Sequence, residues 1–231
     1  DVDDPGTPGC NHWEINVVMS GNLSLTGKKY ELPLLDINYG IGDNIQLKYE
    51  VPNLSSQGQG ETVSIVGSSK LGLKYLFFDS EEDAVEFALY PQFEFITPNS
   101  KAAERGLESP GNIISLPLLM SKRIGKVAAG DLMLTTNLEY NYSTKADTAN
   151  SLVVLAGIGM PLTSKLSIMG ELSTEQALSK NSEDVREQMV KANLGFIFKA
   201  FKQVSLFGSI GESLVSSDQI NHTYFVSGVR L

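Results

Sequence analysis

Over at least seven stretches, apolar and polar residues alternate one by one along this chain. Ile45, Leu47, Tyr49 and Val51 share one parity, and Gln46, Lys48 and Glu50 share the other. Val85, Phe87, Leu89, Phe93 and Phe95 stand in the same way against Glu86, Ala88, Tyr90, Gln92 and Glu94. Side chains one apart on a strand point to opposite faces, so period two predicts strands. Alternation and turn residues together predict about twelve, near 12–20, 30–40, 44–52, 70–79, 84–97, 112–123, 130–143, 150–162, 165–174, 189–201, 204–214 and 223–231.

The connections add a second pattern. Those after even-numbered strands are short: 40–43, 79–83, 125–130, 163–164 and 202–203. Those after odd-numbered strands are mostly longer: 21–29, 53–69, 98–111, 144–149, 175–188 and 215–222. Ala177, Leu178, Val185 and Met189 among the charges after Glu175 allow a short loop helix there. Short turns at one end, long loops at the other and both termini at the short-turn end predict a transmembrane up-and-down antiparallel β-barrel. An even strand count closes the sheet and leaves no unpaired edge in lipid.

A soluble β-sandwich shows the same alternation, and three features favour the barrel. Connections in a sandwich mix their lengths, whereas these sort by parity. Aromatic residues stand near strand ends on the apolar face, as Trp13, Tyr39, Tyr75, Phe77, Phe95, Tyr140 and Tyr142 do, where interfacial girdles lie. Strands of about nine to twelve residues match a tilted bilayer crossing.

Composition separates the remaining classes. The chain has 231 residues, which suits one domain. Residues 1–11 are expected to stand outside the barrel as an N-terminal periplasmic extension. Hydrophobic residues make up 42%, and the mean hydropathy of -0.05 looks soluble. Half of every barrel strand is polar, so that value does not argue against a membrane. The apolar segment 150–164 contains Gly157, Gly159 and Pro161 and is too short for a membrane helix. The net charge of -9, without a Lys/Arg stripe interleaved with aromatics, argues against nucleic acid as a partner. Much of the acid falls between strands, at Asp1, Asp3, Asp4, Glu81, Glu82, Asp83, Glu183 and Asp184. The single Cys10 has no partner for an internal disulfide. A start at Asp1, without methionine or an apolar leader, fits a chain already cut from its signal peptide.

If the apolar parity faces lipid, the polar parity lines a lumen. Its candidates are Glu14, Asp36, Lys48, Glu50, Lys74, Glu86, Glu94, Glu139, Glu171, Lys191, Lys199 and Arg230. They form either a solute-selecting pore or a self-neutralising charge ladder. Strand order brings Arg230 toward Glu14 and Asp36 toward Lys48, and an unpaired charge in a restricted lumen is costly. Twelve strands lie between the filled interior of eight and the open channel of sixteen, so a narrow or partly plugged lumen follows.

No catalytic set emerges. His12 and His222 fall at opposite ends of the predicted barrel, so no Ser-His-Asp or Cys-His arrangement assembles around both. No cluster has metal-ligand spacing, and no glycine pair opens a phosphate-binding helix. An Asp218–His222 loop pair is the residual acid–base candidate, and a solvated loop histidine is its plainer reading. The chain reads as a non-enzyme without cofactors.

Several segments carry a family resemblance: Asp4-Pro5-Gly6-Thr7-Pro8-Gly9 leading into Trp13-Glu14-Ile15-Asn16, Glu31-Leu32-Pro33-Leu34-Leu35-Asp36-Ile37-Asn38-Tyr39-Gly40-Ile41-Gly42-Asp43, Gln46-Leu47-Lys48-Tyr49-Glu50-Val51-Pro52, Leu71-Gly72-Leu73-Lys74-Tyr75 and Leu116-Pro117-Leu118-Leu119. With these the chain resembles the bacterial MetA-pathway of phenol degradation family, described as outer-membrane transporters. The resemblance implies a bacterial outer-membrane location, the lipid bilayer and the outer-membrane assembly machinery as partners, and small, hydrophobic or aromatic solutes. Its motifs are hairpin signatures and imply no catalytic or ligand residues. One departure stands out: outer-membrane strands commonly close on a terminal Phe or Trp, whereas this chain ends in Leu231. The functional expectation is a channel or transporter for small molecules. A plugged structural or surface-binding barrel that works through its long loops is the alternative.

Overall fold

The computed structural model describes residues 2–25, 27–58, 61–80, 82–145, 148–180 and 186–231. Among them the chain forms twelve antiparallel strands: β1 (Trp13–Ser24), β2 (Gly27–Ile41), β3 (Ile45–Gly58), β4 (Glu61–Val66 and Ser69–Ser80), β5 (Val85–Leu89 and Gln92–Phe95), β6 (Ile113–Val127), β7 (Gly130–Ser143), β8 (Ser151–Pro161), β9 (Leu166–Ala177), β10 (Gln188–Lys199), β11 (Ser205–Ser216) and β12 (Thr223–Arg230). Each pairs with its sequence neighbours, and β12 pairs back onto β1 from Asn16↔Arg230 to Leu23↔Thr223. The sheet therefore closes into a barrel. Leu231 continues the seam, because Ile15 and Leu231 exchange both backbone hydrogen bonds at 3.1 and 2.9 Å.

Two strands are interrupted for identifiable reasons. Pro91 breaks β5 because it has no N–H to give the ladder. Around the break the strand stays tied to both neighbours, through Tyr90 N to Pro117 O on β6 and Leu73 N on β4 to Pro91 O. β4 breaks at Gly67 and Ser68, where Gly67 N donates to Pro52 O.

The two ends differ much as expected, with one correction. The end bearing both termini carries only short turns. At the other end the connections after β5, β7, β9 and β11 are longer, but the expected loops over 21–29 and 53–69 are tight hairpins. There β1–β2 pairing runs to Ser24↔Gly27 and β3–β4 pairing to Gly58↔Glu61. Residues such as Ser24, Lys28, Lys29, Ser55 and Ser56 at these hairpin ends show no apolar parity, which a strand needs only where it meets lipid. Strand pairing persists there while the alternation that marks it stops. No helix forms among the described residues after Glu175, where β9 continues to Ala177; residues 181–185 lie outside the described residues.

The outward face is apolar. Leu134, Ile158, Gly170, Leu194 and Ile210 form one lateral row across β7 to β11, and Leu194 is 71% exposed. Large apolar side chains stand exposed around the wall, among them Leu47, Leu71, Leu89, Leu116 and Leu138. Soluble monomers rarely expose apolar patches of more than a few hundred Å², so this belt faces lipid. Aromatic pairs mark its edges: Trp13 and Tyr39 (4.6 Å) near the short turns, Tyr30 and Phe225 (6.4 Å) toward the opposite end. Leu194→Arg should cost about 2–4 kcal/mol in equilibrium unfolding from lipid vesicles, the range for a cation on the lipid face near the midplane. An effect near zero would mean that Leu194 faces water.

Candidate functional site

The lumen is lined by the opposite parity of each strand, and its charges are largely paired. Lys48 on β3 bridges Glu50 at 2.7 Å and Asp36 on β2 at 3.8 Å, and Lys70 on β4 reaches Glu50 at 3.7 Å. Asp36 also accepts from Asn16 Nδ2 (3.0 Å) and Asn38 Nδ2 (3.1 Å). Arg230 closes the seam electrostatically, with Nε 3.4 Å from Glu14 Oε1 and donating to Asn16 Oδ1 at 3.1 Å. These are the Arg230–Glu14 and Asp36–Lys48 neighbours that strand order predicts. Glu94 meets Lys145 at 2.6 Å, a residue from the β7–β8 connection that alternation does not reveal.

The remaining candidates divide by environment. Glu86 lines a cavity of 460 Å³ shared with Val2, Met133 and Met169. Glu139 is half-buried on β7, opposite Pro117 and Val153. Lys191 lies 5.0 Å from the Tyr224 ring centroid. Lys199 stands exposed at the last position of β10, on the rim near the short turns.

The largest departure concerns the N-terminal residues. They do not extend away from the barrel as a separate periplasmic piece: residues 2–9 turn into the lumen and fill part of it. The segment enters beside β2, where Asn11 N donates to Gly40 O and Gly40 N to His12 O, each at 3.0 Å. A Cβ on Gly40 would lie 1.9 Å from Gly9 O, so only glycine admits this entry. Thr7 Oγ1 then donates to Asp43 O at 2.7 Å. Further in, the buried Lys74 donates to Asp4 O at 2.7 Å and Gly6 O at 3.1 Å. On the far wall Asn137 Nδ2 donates to Asp3 O at 2.9 Å, and Val2 N donates to Glu171 Oε1 at 3.2 Å. Pro5 is fully buried within the barrel.

Polar and π contacts hold this insert. Tyr90 packs with Ala88 and Leu119 in the innermost cluster, and its ring lies 4.9 Å from Lys74 Nζ. Gln46 Nε2 donates to Asn38 Oδ1 at 2.6 Å and reaches the Tyr90 hydroxyl at 3.4 Å. Backbone carbonyls of residues 4 and 6 thus take the place of a carboxylate partner for Lys74. Alternation identifies Lys74 as luminal, but the Pro- and Gly-rich residues 4–9 have no periodicity that locates them.

The insert leaves unequal spaces. A cavity of 250 Å³ beside β1–β4 is lined almost wholly by polar groups, including Glu14, Asn16, Asp36, Lys48 and Lys74. The 460 Å³ cavity on the other side adds Met133, Met169 and Ile197. A third, of 320 Å³, lies in the half away from the termini, between β1–β3 and β10–β12.

His12 and His222 lie at opposite ends, as the strand outline predicts. His222 hydrogen-bonds Asp218 Oδ2 through Nε2 at 2.9 Å and Asn22 Oδ1 through Nδ1 at 3.1 Å. Both ring nitrogens are therefore engaged, and neither is placed to activate a nucleophile. Hydrogen bonds from Ser216 and the Ile220 amide, with His222 beside it, hold the Asp218 carboxyl down at about 2.

The fold is that of outer-membrane channels and porins. An outer-membrane channel from Pseudomonas putida F1 superposes with a TM-score of 0.73 at 13% identity, covering 100% of this chain and 98% of that one. The NanC porin gives 0.62 at 9% identity, over 93% and 98%. The KdgM porin gives 0.58 at 14% identity, over 93% and 97%. No family model matches the chain, and no curated relative matches its sequence, so the phenol-degradation resemblance gains no support beyond the fold.

Two predictions follow from this geometry. Lys48→Met should cost about 3–5 kcal/mol in denaturant unfolding, because Glu50 and Asp36 lose a shared partner in a restricted lumen. Adding Glu50→Gln should recover part of that loss, whereas strict additivity would mean that the pair is uncoupled. Asp218 binds its proton less readily in the folded loop than in the unfolded chain. Its stabilisation is thus present above the ordinary carboxylate range and lost as pH falls through about 2. Carboxyl-carbon NMR should show that midpoint, and a midpoint near 4 would mean that the loop hydrogen bonds do not form.

Proposed function

We propose that this protein is a passive channel of the bacterial outer membrane for small molecules, with residues 2–9 closing the lumen in the resting barrel. The observation that carries the reading is the unequal lumen. Polar and Met-lined cavities persist on either side of an insert that Lys74, Asn137, Glu171 and Gly40 hold through polar contacts. A barrel filled for rigidity alone would have an interior packed like a core, whereas this one keeps about 460 Å³ in one cavity.

A lumen polar on β1–β4 and partly apolar on β7–β10 suits amphipathic solutes. That fits the hydrophobic or aromatic solutes the family resemblance implies, provided they carry a polar group. The whole chain acts as one unit in this reading, with residues 2–9 as part of the barrel's interior.

Planar-bilayer conductance tests the proposal. Deleting residues 1–9 should raise single-channel conductance several-fold over the full chain, and Gly40→Val should raise it less, by hindering entry of the same segment. If the deletion variant folds with heat-modifiable migration and still insulates, the second reading stands. In that reading the insert and paired charges make a plugged barrel, and its long connections after β5, β7, β9 and β11 bind a partner.

A further inference from the structure

The luminal cations differ in one respect. Lys48, Lys70, Lys145 and Arg230 each have a carboxylate within 4.0 Å, and Lys74 has two carbonyls. Among the described residues, Lys191 has no such partner: its one recorded contact is with the face of Tyr224. It is half-buried and lines the 320 Å³ cavity in the outer half of the lumen. On the same face, directly across the β9–β10 ladder, the Ser173 hydroxyl is buried without any hydrogen-bond partner. Ser173 is not among the cavity's lining residues, whereas Lys191 is, and a cation that faces a cavity with no carboxylate of its own lacks what an anion supplies.

We propose that Lys191 anchors a binding site for small monocarboxylates in this cavity. The carboxylate bonds the Lys191 ammonium, and the Tyr224 ring, itself held by its hydroxyl on Met189 Sδ at 2.9 Å, fixes the ammonium's position. The ligand's apolar body lies against Leu54, Leu107 and Val226 of the same cavity. Leu107 comes from the β5–β6 connection, which is tied down through Ala102, a fully buried residue, and through Glu108 accepting from Ser68 N at 3.0 Å. At 320 Å³ the space is near the lower limit of ligand pockets, roughly 300–1,000 Å³, which restricts the ligand to a short chain or a single ring. Glu31 also lines the cavity and accepts from Ser20 Oγ at 2.8 Å; it disfavours a second carboxylate. Lys29, on the same wall, is exposed to solvent, where its charge is screened.

The assignment deepens the channel reading by naming a solute class, and it rests on that reading for its biological use. Its test does not depend on conductance. The full-length protein in lipid nanodiscs is titrated with butanoate, butanamide and butylamine, and binding is followed by calorimetry or by the carboxyl-carbon NMR signal of labelled butanoate. Butanoate should bind about tenfold more tightly than the other two. Lys191→Gln should abolish that preference and Lys191→Arg should keep it. Lys199→Gln, at the opposite rim, should leave it unchanged. Equal binding of the three probes, or a preference that survives Lys191→Gln, would overturn the site. Binding with these properties beside an insulating deletion variant would keep the site and remove the channel.

Discussion

Every backbone N–H and C=O that reaches the hydrocarbon of a bilayer must find a partner within the protein, since lipid offers none. That constraint selects closure, and the β1–β12 seam meets it with pairs running from Asn16↔Arg230 to Leu23↔Thr223. The rest of the molecule follows from it. A closed sheet in lipid must send its apolar parity outward, as Leu194 and Ile210 do, and must keep its charges inside. Within twelve strands those charges stand close enough to require partners, which explains why Lys48, Glu50, Asp36 and Lys70 form one continuous group.

The same restricted interior gives the first residues of the chain a place to go. A peptide segment inside a lumen brings unpaired amides with it, and the wall answers with side chains: Lys74 and Asn137 for carbonyls, Glu171 for an amide. Backbone and wall thus satisfy one another, and glycine at position 40 supplies the clearance. The insert is thus held by polar contacts and by the burial of Pro5, without the ladder pairing that holds a strand in the sheet.

Much of this was legible in the sequence because lipid enforces a simple code. One face apolar and one face polar, repeated with period two, revealed all twelve strands, their outward side and neighbours such as Arg230 with Glu14. The code stops where lipid stops. The hairpin tips after Asn22 and Asn53 stay paired in water without alternating, so they read as loops. The break at Pro91 falls within one stretch of unchanged parity and read as continuous strand. Residues 2–9 obey no periodicity, and their position depends on contacts with β2, β4, β7 and β9, far away in sequence. The Lys145–Glu94 pair was hidden for the same reason.

The direction in which the wall faces supports everything else, and the single tryptophan reports on it without any substitution. Trp13 is 62% exposed, packed on Tyr39 at the edge of the outward face nearest the short turns. In vesicles of brominated lipids its fluorescence should be quenched strongly by bromines near the headgroup end of the acyl chains and weakly by bromines at the chain terminus, with little quenching by aqueous iodide. Strong iodide quenching with no effect from either lipid would put that face in water and contradict the account.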